Sequence, residues 1–190
     1  MPVTTPQAIT TLIPNLVSCA MLGVGVPNVA RGLGIGLSTW TPTISISTTD
    51  VGTAGAGKGV PVPIVLTQPI LYANLLAGMR HERLLGVLAP AFIMGLTNGL
   101  VALYAQAITS TAHVGVGTGA GVAVFRPPPA FPHLRAGFAS VGMNGDVGTR
   151  FARAVSRGLE TTFKALVLPQ PIAGSVSPAP ASGRGFGRIL

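Results

Sequence analysis

The chain has 190 residues, of which 48% are apolar and 8% charged, with 26 Gly, 17 Pro and a single cysteine. One cysteine excludes an intrachain disulfide and a cysteine-cluster zinc site, and so few charges, against roughly 25% in an average soluble domain, imply a surface covered by a membrane or by other protein. Twelve basic residues against four acidic ones give +8, and the excess lies at and beyond Arg126, which directs the C-terminal third towards an anionic partner: nucleic acid, anionic lipid or an acidic protein surface.

In chain order, a first helix is expected over about 6–22, opened by Pro6 behind Thr4-Thr5. Within it, "LVSC" (16–19) has the form of a lipoprotein cleavage box. No Lys or Arg precedes it, so the positive region of a signal peptide is missing and Cys19 reads as a buried helical thiol. A second helix follows over about 27–39. Then comes "GTAGAGKG" (52–59), which matches a phosphate-binding loop as far as Gly57-Lys58 but carries Gly59 where a hydroxyl would hold magnesium. The next residues, Val60-Pro61-Val62-Pro63, cannot start the helix whose amides such a loop aims at phosphate. Nucleotide binding is therefore set aside. The run "VPVPIVL" (60–66) predicts an edge strand or an extended linker, since its prolines cannot sit in a central strand.

The pattern then recurs. Helices are expected at about 69–85 and 90–110, a strand in "GVAVF" (121–125), helices at about 128–143 and 149–167, and a Pro/Ala/Gly/Ser-rich tail to residue 190 that is disordered when free in solution. Three segments, "GLSTWTPTISISTTDVG" (36–52), "GLVALYAQAITSTAHVG" (99–115) and "GLETTFKALVLPQPIAG" (158–174), share their Gly-Leu start and their final Gly, offset by 63 and then 59 residues. Leu12, Leu75 and Leu134 align, as do Gly23 with Gly86, Gly32 with Gly95, and Gly78 with Gly137. The fold class expected is mainly α: three tandem helical-hairpin repeats joined by Gly-rich extended segments with short strands. The units run about 1–63, 64–125 and 126–174 in a single domain, with a low-complexity tail at 175–190.

No charged residue lies between Arg83 and Arg126, and residues 84–105 are long enough to span a bilayer. The equivalent third helix is amphipathic, with Phe151, Val155 and Leu159 on one face and Arg150, Arg153, Arg157, Glu160 and Lys164 on the other. That contrast suits a linear array whose middle unit is shielded by its neighbours and whose ends are more polar. The small residues on these helices let backbones approach closely, in a protein core or in a membrane.

Candidate chemistry is sparse. "HERLL" (81–85) lacks the second histidine of a zinc-protease helix, and His113 and His133 have no spaced ligand partner. Four carboxylates and no nucleophile elbow leave no catalytic constellation, so no enzyme activity, cofactor or metal is expected. The expected partner-contact residues are Arg150, Arg153, Arg157, Lys164, Arg184 and Arg188, with a solvated helix face as the competing reading. No recognition helix or aromatic platform supports nucleic acid as the partner.

The Gly/Thr/Ala-rich units with their "DVGTAGAGKGV" (50–60) and "HVGVGTGAGV" (113–122) loops resemble small structural proteins of tailed-phage virions. The resemblance implies a non-enzymatic neck, tail, baseplate or capsid-associated subunit, assembled in the cytoplasm in many copies. The alternative is a membrane-associated helical repeat protein with 84–105 inserted.

Overall fold

The computed structural model of the chain describes residues 4–21, 23, 25–40, 45–53, 56–61, 68–84, 86–106, 108–113, 119–126, 128–162, 170–176 and 183–189. It is mainly helical, with the helices α1 (Thr5–Ser18), α2 (Val26–Trp40), α3 (Gln68–His81), α4 (Ala89–Ala105), α5 (Ala130–Ala139) and α6 (Asp146–Thr162). Strands β1 (Ser45–Thr53) and β2 (Ala56–Pro61) follow α2, β3 (Ile108–His113) and β4 (Gly119–Arg126) follow α4, and β5 (Gln170–Val176) and β6 (Gly183–Ile189) follow α6. The order α-α-β-β thus occurs three times.

The helices start where local chemistry provides a start. At α1 the backbone N–H of Thr4 donates to Gln7 Oε1 at 3.3 Å, which satisfies a donor the helix itself cannot. Pro6, Pro27, Pro69 and Pro90 each occupy the second position of their helix, where the missing N–H costs nothing. The first helix of each pair ends sooner than expected, and always in the same way. Ala20 (φ 58), Arg83 (φ 57) and Gly142 (φ 82) take the left-handed conformation, and the next residue donates back over the helix end: Met21 N–H to Leu16 O, Leu84 N–H to Met79 O and Met143 N–H to Phe138 O, at 2.9–3.0 Å. This is the Schellman closure, and residues 20, 83 and 142 stand at the offsets of 63 and 59.

Neighbouring helices pack in sequence order, and α6 packs back on α1, so the six form a closed ring. This differs from the linear array expected: there are no terminal units for more polar caps to cover. The buried core follows the same offsets. Leu12, Leu75 and Leu134 are buried, as are Leu33, Leu96 and Val155, and again Leu37, Leu100 and Leu159. Facing them across α2, α4 and α6, Trp40 and Tyr104 meet edge to face at 5.6 Å between centroids, and Phe92 meets Phe151 at 4.8 Å. Burial pushes the Tyr104 hydroxyl well above its ordinary pKa. The Thr97 hydroxyl is buried without a hydrogen-bond partner among the described residues.

Glycine makes the closest helix approaches. On α2, a Cβ at Gly36 would stand 2.6 Å from Leu75 Cα of α3, and a Cβ at Gly78 would run into the Gly32 carbonyl oxygen. On α4, a Cβ at Gly99 would stand 2.8 Å from Leu134 Cα of α5, and one at Gly137 would run into Gly95 O and Gly99 N. Where α6 meets α1, Gly158 lies on Leu12, while Ala154 and Asn15 stand where the other crossings have paired glycines. Asn98 ties three helices together, accepting from Gln68 Nε2 at 3.1 Å and donating to Ser140 Oγ at 3.0 Å.

The expected short strands of the Gly-rich segments close into a barrel. β1 through β6 pair antiparallel in order, and β6 returns to β1 with Ser45 opposite Arg188 and Thr49 opposite Arg184, making a six-stranded barrel. Closure removes the unpaired edges that would otherwise recruit foreign strands. One expectation is corrected by it. The tail expected at 175–190 contains β6, ordered by pairing with β1 and β5 of the same chain. The run 60–66 contributes Val60 and Pro61 to the end of β2, and its remainder lies outside the described residues. The phosphate-loop look-alike is part of the β1–β2 hairpin, with Lys58 opposite Val51 on one side and Ser110 on the other.

Candidate partner-binding surface

The basic face rests on α6. Asp146 opens this helix, and the succession Phe151, Ala152, Ala154, Val155, Ser156, Gly158, Leu159 turns its apolar stripe to the ring. Three arginines stand outside it. Arg150 pairs with Asp146 one turn back, an exposed i,i+4 pair of the kind that adds only ~0.3–0.5 kcal/mol. The Arg153 guanidinium lies over the Phe131 ring of α5, 5.7 Å from its centroid, a cation–π contact that holds the charge at the surface. Arg157 is exposed and has no ion-pair partner among the described residues.

Phe131 also lines an open pocket of about 450 Å³ between α5 and the start of α6, together with Pro132, Arg135, Ala136, Ala139, Met143, Asn144 and Thr149. Arg135 thus lines the same pocket as Phe131, the ring over which Arg153 lies. The four-residue spacing puts Phe131 and Arg135 on one face of α5, but the pocket beside them also needs Thr149 of α6, which no local pattern links to them.

Of the expected contact residues, the structure brings Arg150, Arg153 and Arg157 together on α6. Lys164 lies outside the described residues. Arg184 and Arg188 fall on β6 in the barrel, opposite Thr49 and Ser45 of β1. They belong to a different element from the α6 arginines and are not shown to form one surface with them.

Elsewhere, Glu82 accepts from Arg31 at 3.2 Å and lies 3.0 Å from His81 Nδ1, so the polar patch around "HERLL" links the end of α3 to α2. Among the described residues no three His, Cys, Asp or Glu side chains gather as a metal site. Among them, too, no helix is long and apolar enough to cross a membrane. The segment 84–105 is divided: Val87 and Leu88 lie in a turn and α4 begins at Ala89, because Pro90 favours a helix start and disfavours a continuous helix. The 17 residues of α4 reach about 26 Å, short of a ~30 Å hydrocarbon core.

No protein-family model matches the chain, and neither a curated protein nor a solved structure matches it.

Proposed function

We propose that the chain is a fusion of three helical-hairpin units, each followed by a Gly-rich β-hairpin, and that it serves as a non-enzymatic structural subunit of a large multi-copy assembly of the kind found in tailed-phage virions. The repeat reading is supported by three features recurring at the same offsets: the buried leucines, the left-handed helix ends and the glycine crossings.

One observation carries the assembly reading. In a linear array, the uncharged middle unit would be covered by its flanking units. In a closed ring, α4 has the same outward exposure as α2 and α6. Yet its outer positions are Ala91, Met94, Asn98, Val101 and Ala105, with Met94 37% exposed, whereas α6 carries Arg150, Arg153 and Arg157 there and α2 carries Arg31. A neighbouring chain covering α4 accounts for that difference. The arginine face of α6 then suits an acidic neighbour, and Lys164, Arg184 and Arg188 extend the set of candidate contacts.

The test is mass in solution. Expressed without detergent and measured by size-exclusion chromatography with light scattering, the chain is expected as a defined oligomer of its 19.1 kDa protomer. Met94→Glu with Ala105→Glu, both at exposed positions, should return it to the protomer mass while retaining its circular dichroism. A wild type that stays monomeric at every concentration, or that is recovered only from membranes, would overturn the reading.

A further inference from the structure

Among the described residues, the most exposed large apolar side chains have no place in the surfaces described so far. Val87 is 95% exposed, Leu88 77% and Val147 56%. Leu88 precedes α4 and Val147 is the second residue of α6, and these two positions are 59 residues apart, the offset of the second and third units. Neighbouring helices are antiparallel, since Gly32 meets Met79 while Gly36 meets Leu75, and Gly95 meets Phe138 while Gly99 meets Leu134. All three helix–helix turns therefore fall at one end of the ring, and the strand connections at the other. The Phe92–Phe151 contact holds the starts of α4 and α6 together at that end.

Charge accompanies these tips. Arg80, in the last turn of α3, and Arg83, in the connection that also carries Val87 and Leu88, are exposed and have no ion-pair partner among the described residues, and Arg150 lies one turn beyond Val147. The acidic groups at this end are already engaged: Glu82 with Arg31, and Asp146 with Arg150.

We propose that the helix-turn end of the ring is a peripheral membrane-binding surface that inserts Val87 and Leu88 into an anionic lipid bilayer, with Arg80 and Arg83 on the phosphate headgroups. Free-standing apolar tips beside unpaired arginines match a surface that is apolar within and negative at its rim. A second copy of this chain does not match, because with four acidic residues in 190 it has little negative surface to offer. A folded protein partner would need an apolar pocket shaped to each separate tip. A bilayer deforms around them and needs no such fit. The inference goes beyond the assembly reading and stands independently of it.

Flotation of the full chain with phosphatidylcholine vesicles, with and without phosphatidylserine, tests the proposal. Binding is expected to the phosphatidylserine vesicles only, to be lost in Val87→Asp/Leu88→Asp, and to fall about fivefold for each of Arg80→Gln and Arg83→Gln. Arg153→Gln/Arg157→Gln, on the outer face of α6, should leave it unchanged. The exposed positions tolerate these changes, and circular dichroism checks that each variant folds. Failure of the wild type to float would overturn the proposal. So would flotation that survives the aspartates but is lost with Arg153 and Arg157, which would mean general polyanion binding. If the aspartates dissolve an oligomer while leaving flotation intact, the tips belong to a protein contact and the lipid reading falls.

Discussion

Ala20, Arg83 and Gly142 do the same work with different side chains. Each turns the chain out of the first helix of its pair with a positive φ, which costs a residue bearing a Cβ about 1–2 kcal/mol and glycine almost nothing. Only the third unit uses the residue the geometry favours. Ala20→Gly should therefore stabilise the protein by about 0.5–1 kcal/mol after the loss of unfolded-chain restriction is counted, and Gly142→Ala should destabilise it by a similar amount. Urea denaturation of the two variants checks both signs. Destabilisation by Ala20→Gly would mean that the turn is not left-handed there. In the sequence these positions are an alanine, an arginine and a glycine, so nothing in residue identity marks them as equivalent. The expectation that these helices run to about 22, 85 and 143 overshot by about four residues each for that reason.

Between elements, the decisive contacts are backbone against backbone. Gly32 and Gly36 receive α3, and Gly95 and Gly99 receive α5, while Gly78 and Gly137 are the points from which the neighbouring helix is received. Alanine is the better helix former by about 1 kcal/mol, so on propensity alone Gly78→Ala would stabilise α3. The crossing reverses that sign: the new methyl meets the Gly32 carbonyl oxygen, which is backbone and cannot swing aside. A net loss of about 2–3 kcal/mol is expected, read as a fall in denaturation midpoint with unchanged slope. A neutral result would show that the two helices can part without cost. The alignment of Gly32 with Gly95 and of Gly78 with Gly137 was legible in the sequence, as was the use of small residues for close approach. That the two aligned pairs face one another across a helix crossing was not legible, because register between helices is a three-dimensional quantity. The third crossing departs from the pattern, since Ala154 and Asn15 occupy its glycine positions, and nothing in the sequence flags the exchange.

At the scale of the molecule, two closures share one chain: α6 against α1, and β6 against β1. The first and last helices are thus neighbours in the ring, and the first and last strands are neighbours in the barrel. Joining residue 190 to residue 1 and opening the chain between Pro61 and Gln68, in the equivalent β2–α3 link, should give a circular permutant that folds with the same circular dichroism and a melting temperature within several degrees of the parent. Removal of residues 127–190 should instead prevent folding, because it strips α1 of α6, and β1 and β4 of their partners. A permutant that fails to fold while the truncation succeeds would show that the ring is not closed.

The sequence by itself determined the six helices and their order: apolar residues at helical spacing and prolines at helix starts act locally, and so can be read locally, whereas β1, β3, β5 and β6 were not read from it. It also showed that the pattern recurs and that arginines gather on one face of α6. Closure was decided only in the tertiary structure. Whether three such units make a line or a ring depends on the small angle between successive hairpins, which accumulates over packed interfaces and has no sequence motif. The pairing of Gly183–Ile189 with Ser45–Asp50 depends on that angle too, and it turned a low-complexity tail into the strand that completes a barrel. Ring closure likewise exposed what an array would have hidden, an uncharged α4 among charged neighbours.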